Sequence, residues 1–247
     1  MFLSTGKVRI LIDAGVSGCR IAGALSGIGE SPKNIDAILI THEHSDHIKG
    51  AGIFSRKYSV PIYANQKTWG SMDMSIGAVK EEYRKVIDDR SFEIGDIGIE
   101  PFSIPHDASD PMAYSISANG KKVTIATDMG HITEKTRCCM KGSDLILIES
   151  NHDIEMLKIG PYPWSLKKRI LGDNGHLSNE IAAELVAAMA KVGTRRFFLG
   201  HLSKENNFPE LAYQTTKNVL DVNGICIGKD IFMCVAPRDN FSEVVVL

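Results

Sequence analysis

The chain lacks the features that would assign it to a membrane or polyanion-binding class. No apolar run in its 247 residues approaches the roughly eighteen residues that a transmembrane helix needs. Residues 1–7 do not carry a basic segment followed by a long apolar one, as a secretory signal would. The formal net charge is only -2, which gives no electrostatic mark of a protein dedicated to nucleic acid or membrane surfaces. We therefore expect no membrane partner.

Cysteine is scarce and shows no paired spacing. The chain has five cysteines, an odd number, and none of them forms a C-x-x-C pair. This usage is typical of free thiols in a reducing compartment, so we predict a cytoplasmic location. The adjacent pair Cys138 and Cys139 is expected to be buried and unreactive.

Low-complexity tracts and an obvious linker are absent as well, and strands alternate with helices throughout. A hydrophobic content of 43% can fill either one large core or two small ones. Apolar runs predict strands, and the turn Asn119-Gly120 between two such runs predicts a hairpin. Ser178 is expected to cap a helix that stops at Gly193. Together these signals predict a layered α/β structure. The predicted strands include residues 8–13, 35–41, 61–64, 144–149, 195–199 and 244–247.

One segment, residues 41–47, has the sequence T-H-E-H-S-D-H and follows directly on an apolar predicted strand. Neutral imidazole and carboxylate oxygen are ligands of divalent metals. One ion rarely takes more than three or four protein ligands if it keeps a position open for water. The density therefore predicts two ions close together, and a polar loop with chance histidines explains it poorly. The metal-competent residues are His42, His44, Asp46 and His47.

Further metal-competent side chains follow other predicted strands. His106, Asp128 and His201 each lie just beyond an apolar run, where a rigid scaffold can hold functional groups in fixed positions. The ordered set then supplies about six terminal ligands and one bridging carboxylate, as a two-metal site requires.

The order and spacing of these residues resemble the metallo-β-lactamase superfamily. The resemblance implies a four-layer αββα sandwich that forms a single domain over residues 1–247. It implies one ion on His42, His44 and His106, and a second on Asp46, His47 and His201. Asp128 would bridge the ions and Asp13 would orient a ligand. The β-lactamases themselves usually carry cysteine at the position of Asp128, which argues against antibiotic hydrolysis.

Downstream strings resemble a narrower group, the YycJ/WalJ bacterial exonucleases. They are E-S-N-H-D at residues 149–153, L-K-K-R-I at 166–170, G-H-L-S-N at 175–179 and L-G-H-L-S-K-E-N-N at 199–207. Members of that group usually begin with a strand that carries a G-S-x-G-N turn. No such turn precedes Val8, so the usual first N-terminal strand is expected to be missing or truncated.

The resemblance implies a dinuclear metal-dependent phosphodiester hydrolase, specifically a 5′-to-3′ DNA exonuclease that uses zinc or manganese. Asp46 and Asp128 would be catalytic, and His176 would donate a proton or hydrogen bond to a phosphoryl oxygen. His152 and His131 could each orient a ligand or satisfy a backbone carbonyl, and His152 is included among the residues expected around the metals or the substrate. Contact with the terminal phosphate is expected from Lys204, Asn206 and Asn207.

Other interpretations remain open at this stage. Lys167, Lys168 and Arg169 could meet a nucleic-acid backbone, but a solvated basic face is favoured. The same metals would serve a small-molecule hydrolase acting on a cyclic phosphodiester, lactone or thioester, or a ribonuclease of the same fold. The interval of 73 positions from Asp128 to His201 is too short for the large inserted domain of the RNase J type. A non-catalytic metal-binding module is disfavoured because every expected ligand position is filled. No oligomeric state is predicted.

Overall fold

The computed structural model describes residues 1–238 and 240–247. It divides into two compact units. Unit 1 comprises Met1–Ser103 and Ala108–Asn119, and unit 2 comprises Ile104–Asp107 and Gly120–Leu247. That residues 1–247 form one domain stays a prediction.

Unit 1 is built on a five-stranded sheet in which β1 pairs antiparallel with β2 and the remaining neighbours are parallel. Its strands in spatial order are β1 (Phe2–Ser4), β2 (Arg9–Ile12), β3 (Ala37–Leu39), β4 (Ile62–Asn65) and β5 (Arg84–Ile87). An antiparallel ladder follows along the chain, with strands β6 (Phe92–Ile94), β7 (Ile97–Ser103) and β8 (Met112–Ala118). The helices are α1 (Gly18–Gly27), α2 (Ser45–Ile48), α3 (Ala51–Tyr58) and α4 (Gln66–Ile76), with 3-10 turns at Pro32–Asn34 and Glu81–Tyr83.

The central strands of unit 1 are apolar, as expected for strands that are buried on both faces of a sheet. Ile38 of β3 and Ile62 of β4 are fully buried, and Phe54 of α3 and Trp69 of α4 belong to the same hydrophobic cluster. Each such side chain contributes about 1.5–3 kcal/mol on burial. This core holds the polar segment that leaves β3 in a fixed place.

Unit 2 is built on four strands that are all parallel. Their spatial order is β9 (Lys121–Ala126), β10 (Leu145–Glu149), β11 (Arg196–Gly200) and β12 (Phe232–Val235). The helices are α5 (Glu134–Met140), α6 (Ile154–Ile159), α7 (Trp164–Leu171), α8 (Asn179–Lys191) and α9 (Pro209–Val222). Glu149 is in register with Gly200, so the carboxyl ends of β10 and β11 meet at one edge. Residues that follow these strands are thereby brought together.

Most local predictions are confirmed. Ser178 caps α8 through a side chain that accepts from the Ile181 amide. Asn119 and Gly120 have positive φ values of 52° and 72°, as a tight turn of this sequence requires. Among the described residues, every helix is too short or too polar to cross a bilayer.

One strand was missed and one local prediction is wrong. Strand β1 was not predicted, because three residues carry too little periodicity to be recognised. The strand expected at residues 244–247 is wrong, since this segment has no regular structure and Val246 is 84% exposed. An apolar run becomes a strand only where a neighbouring edge pairs with it, and the last described strand is β12.

Candidate metal-binding site

Three predicted site residues that follow strands have left-handed backbone conformations. The φ angles are 58° at Asp13 after β2, 62° at Asp128 after β9 and 55° at His201 after β11. Such a conformation costs a non-glycine residue about 1–3 kcal/mol and persists only where the surrounding structure fixes it. The strain therefore marks the same strand ends that the sequence singles out.

In unit 1 the Asp13 carboxylate fixes the orientation of His47. It accepts hydrogen bonds from the amide and the hydroxyl of Thr41, both at 2.9 Å, and lies 2.8 Å from His47 Nδ1. Burial alone would raise the pKa of Asp13, but the charge and hydrogen bond of His47 bring it below the usual value. With Nδ1 held by this carboxylate, His47 keeps Nε2 as its ligand nitrogen. Asp13 thus contacts a predicted ligand, as a ligand-orienting residue would.

The H-x-H-x-D-H segment forms a compact cluster because the chain changes from strand to helix inside it. His44 is the N-cap of α2, which contains Asp46 and His47. The imidazole rings of His42 and His44 lie 4.6 Å apart, and those of His42 and His47 lie 4.1 Å apart. Gly15 allows this packing, since a Cβ there would lie 1.4 Å from the Asp46 carbonyl oxygen.

In unit 2 the central residue is Glu149, which ends β10 and has no exposed surface. Its Oε1 accepts from the amides of Met129 at 3.1 Å and Leu177 at 2.7 Å. Its Oε2 accepts from the amide of Asp128 at 3.1 Å. The Nδ1 atoms of His176 and His201 also lie 3.1 Å from Oε2.

Glu149 is ionised in this environment. Burial would raise its pKa, but hydrogen bonds from the two imidazoles, together with their charges, bring it below the usual range. The residue lay inside a recognised motif, yet the sequence assigned it no role. The available signal was a single carboxylate that ends an otherwise apolar strand, which requires a dedicated set of buried donors.

Around Glu149 lie three further groups that could ligate a metal. Asp128, Glu149, His176 and His201 offer ligand atoms within 4.8 Å of one another. Asp128 Oδ1 is 3.5 Å from His201 Nδ1, 3.7 Å from His176 Nδ1 and 3.8 Å from His106 Nε2. His106 holds its Nδ1 at 3.1 Å from the Gly175 carbonyl oxygen, and burial lowers its pKa, which favours the neutral ring that binds metals.

A tight loop between α7 and α8 positions His176. The His176 amide donates to the Ile170 carbonyl at 3.0 Å, and Gly175 passes so close that a Cβ there would lie 2.1 Å from the same oxygen. Burial acts to lower the pKa of His176, but the hydrogen bond and charge of Glu149 and the charge of Asp128 raise it overall. His176 therefore carries its second proton to a larger extent near neutral pH than a histidine with the ordinary pKa does.

The remaining predicted site residues differ in exposure and in their hydrogen-bond partners. His152 is buried and neutral, since burial lowers its pKa to about 4, and its Nδ1 has no hydrogen-bond partner among the described residues. Lys204 is exposed, whereas Asn206 and Asn207 are buried. The side-chain nitrogen of Asn207, Nδ2, donates to the carbonyls of residues 150 and 151, and Nδ2 of Asn206 donates to Ser203 Oγ. The two asparagines thus brace the loops that follow β10 and β11.

The basic run 167–169 is not a uniform solvated face. Lys167 is buried and donates to the carbonyls of Lys158 at 2.6 Å and Gly160 at 2.7 Å, so the solvated interpretation is wrong for this residue. Arg169 pairs with Asp107, while Lys168 is exposed as predicted.

Two smaller expectations are settled. His131 Nδ1 lies 2.9 Å from the Asp173 carbonyl oxygen, which favours the structural role. The expectation of two buried thiols is wrong, because Cys138 is exposed and Cys139 half-buried on the short helix α5.

Known proteins share both this sequence and this fold. Residues 8–202 match the Beta-lactamase superfamily domain. The chain is 43% identical over 232 residues to Exodeoxyribonuclease WalJ of Streptococcus pneumoniae, covering 93% of this chain and 86% of that protein. It is 40% identical to Exodeoxyribonuclease YycJ of Bacillus anthracis, covering 93% and 87% of the two chains. The metallo-beta-lactamase fold protein YhfI of Bacillus subtilis superposes with a TM-score of 0.69 at 16% identity, over 97% of this chain and 88% of that one. These findings confirm the predicted fold class and the resemblance to the WalJ and YycJ proteins.

Proposed function

Because the chain belongs to the β-lactamase superfamily and has the metallo-β-lactamase fold, we propose that it is a metal-dependent exodeoxyribonuclease. The observation that carries the proposal is the 43% identity to Exodeoxyribonuclease WalJ over 93% of this chain. The substrate would be DNA, degraded in the 5′-to-3′ direction in the cytoplasm. The direction of degradation and the cytoplasmic location are proposed in addition to the nuclease activity itself.

The proposed cofactors are two divalent ions. The first would be held by His42, His44 and His106, the second by Asp46, His47 and His201, with Asp128 bridging. The histidines fit this role, because Nδ1 is held by Asp13 in His47, by the Gly175 carbonyl in His106 and by Glu149 in His201. An oxygen acceptor on Nδ1 leaves Nε2 with the lone pair that binds a metal. A ligand set of nitrogen and oxygen only suits both zinc and manganese.

When bound, such a pair of ions lowers the pKa of a water molecule and stabilises negative charge on the phosphoryl oxygens. The chain would then supply the proton for the leaving group. Glu149 holds His176 Nδ1, so the opposite nitrogen, Nε2, is left to donate a proton to the oxygen that departs from phosphorus. As the oxygen of a water molecule forms a new bond to phosphorus, the bond from phosphorus to the leaving oxygen would break. That oxygen would become a hydroxyl group, and the imidazole would be left neutral beside its buried carboxylate.

The test is hydrolysis of 5′-phosphorylated single- and double-stranded DNA and RNA by metal-free protein to which manganese or zinc is added. We expect nucleotides to be lost stepwise from the 5′ end of DNA. Asp128→Asn should reduce the rate at least about a hundredfold, because a bridging charge is removed. Asp221→Asn, an exposed aspartate on α9, is the matched control and should keep full activity.

Other outcomes discriminate the alternatives. Degradation of RNA alone would assign a ribonuclease, and hydrolysis of only a small ester or cyclic phosphodiester would assign a small-molecule hydrolase. Near wild-type turnover by a folded, metal-loaded Asp128→Asn protein would refute the bridging role.

A further inference from the structure

Unit 2 exposes a tryptophan that its own fold does not use. Trp164, at the start of α7, is 61% exposed, whereas the chain's other tryptophan, Trp69, is fully buried. Ile159, which precedes Trp164 in the chain, is 84% exposed. The Lys168 ammonium lies 5.7 Å from the centre of the Trp164 ring, so a cation and an aromatic face are presented side by side.

The surrounding segment carries charge of one sign. Residues 156–172 contain four basic residues and no acidic one. Lys167 donates to two backbone carbonyls, Arg169 pairs with Asp107, and Lys158 pairs with Glu155, which lies just before this segment. The exposed lysine beside the Trp164 ring is Lys168. An aromatic face beside a lysine matches the chemistry of a nucleic-acid strand, which combines stacking bases with a phosphate backbone.

Helix α7 is also tied directly to the candidate site. Its Ile170 carbonyl accepts the His176 amide, and its Arg169 pairs with Asp107, the neighbour of His106. Trp164 lies six residues before Ile170, or about 9 Å along the helix axis. Trp164 therefore lies on the same helix that holds the backbone of His176.

We propose that Trp164 and Lys168 form a stacking platform for single-stranded DNA, holding a base of the strand whose phosphate reacts at the candidate site. The proposal rests on the proposed nuclease function. The Trp164 ring stacks on the base and Lys168 meets the adjacent phosphate. Because every base has an aromatic face, the platform retains the strand without selecting its sequence.

The kinetic test separates strand binding from chemistry. Trp164→Ala should raise the KM for single-stranded DNA by about tenfold to a hundredfold, the usual effect of removing one stacking aromatic. The kcat should stay unchanged, because the stack is present before and during the reaction. Trp164→Phe should recover most of the affinity, and Lys168→Ala should weaken binding mainly at low salt. Val222→Ala, which truncates an 89% exposed residue at the end of α9, is the matched surface control.

A small substrate shows whether the variants merely disturb the site. Bis(p-nitrophenyl) phosphate has one phosphodiester and no further strand to stack on Trp164, so its hydrolysis should be equal in wild-type and Trp164→Ala proteins. A parallel loss on both substrates would assign Trp164 a structural role and overturn the platform. An unchanged KM for DNA would overturn it as well.

A binding measurement keeps the platform testable if the protein fails to degrade DNA. A 5′-phosphorylated oligothymidylate with non-hydrolysable phosphorothioate linkages should quench the fluorescence of Trp164 in the metal-loaded protein. The remaining emission, from buried Trp69, should not respond in Trp164→Phe. Quenching without turnover would refute the nuclease and retain the platform, whereas turnover without quenching would do the reverse. Quenching by anionic vesicles and not by the oligonucleotide would reassign the surface to membranes and overturn the proposal.

Discussion

Replacement of Glu149 by glutamine tests the internal logic of the unit 2 site, since it changes one atom and no volume. Oε1 accepts from two backbone amides, those of Met129 and Leu177, and Oε2 accepts from the Asp128 amide and faces two imidazole Nδ1 atoms. An amide side chain has one acceptor oxygen and one donor nitrogen. In the glutamine variant, the side-chain nitrogen must therefore face the donors at one of these two positions.

The less costly orientation can be worked out from the contacts. If the glutamine oxygen replaces Oε1, both backbone amides there stay paired. Its nitrogen then faces the Asp128 amide, which loses its acceptor, at a cost of about 1–3 kcal/mol for a buried donor. The same nitrogen can donate to His176 and His201 only if both rings move their proton from Nδ1 to Nε2. The tautomer thus formed at His201 no longer offers Nε2 to a metal.

We therefore expect Glu149→Gln to fold with a free energy of unfolding lowered by about 1–3 kcal/mol and to bind metal about 10–100-fold more weakly. Urea unfolding of the metal-free protein measures the first quantity, and competition with a chelator for zinc measures the second. Glu184→Gln, which alters an exposed glutamate on α8, is the control. Zinc affinity within about twofold of wild type would refute the tautomer argument.

Two further predictions concern structure away from the site. Burial, with a smaller effect of Glu243, raises the pKa of Cys234 to about 11. Iodoacetamide at pH 8 should therefore label Cys234 at least about tenfold more slowly than exposed Cys19, as followed by peptide mass spectrometry, and equal rates would contradict this. Hydrogen bonds from the Lys122 amide and the Lys121 ammonium lower the pKa of Asp144, so its contribution to stability is present at neutral pH and lost as the pH falls through that depressed value. Asp144→Asn should lower the free energy of unfolding by about 0.5–1 kcal/mol at pH 7 and progressively less below about pH 4, and a difference in urea midpoint that persists at pH 2 would oppose this account.

Sequence predicts the buried elements of this fold well and the short or edge elements poorly. Strands β3, β10 and β11 are apolar on both faces, so composition alone identifies them. Helix α8 was found from its cap and its stop, but part of its buried face consists of small residues. Ile181 is 40% exposed while Ala182 and Ala183 are fully buried, because small residues admit a closely packed neighbour where larger ones do not. Periodicity of large apolar residues does not detect such a face.

The candidate site divides in the same way. Metal ligands are recognisable because several side chains of rare type stand at fixed spacing, as from His42 to His47. Their supporting groups are not, because a carboxylate such as Glu149 acquires its role only when β10, the residues after β9 and the loop before α8 converge on it. Asn207 shows the converse. Its sequence position suggested contact with substrate, yet its side chain is occupied by backbone carbonyls and by Asn179.

The two units use the same arrangement to orient histidine. In each, a carboxylate at a strand end accepts at least one backbone amide hydrogen bond and faces an imidazole Nδ1. The pairs are the partly buried Asp13 with His47 and the fully buried Glu149 with His201. Backbone amides cannot lose their protons, so they fix the carboxylate as an acceptor, and the carboxylate in turn fixes the imidazole tautomer. The direction of the Nε2 lone pair is thereby set by the main chain, before any metal is bound. Asp13 and His201, the two members of these pairs with left-handed backbone, are thus both held by hydrogen bonds that the strand ends supply.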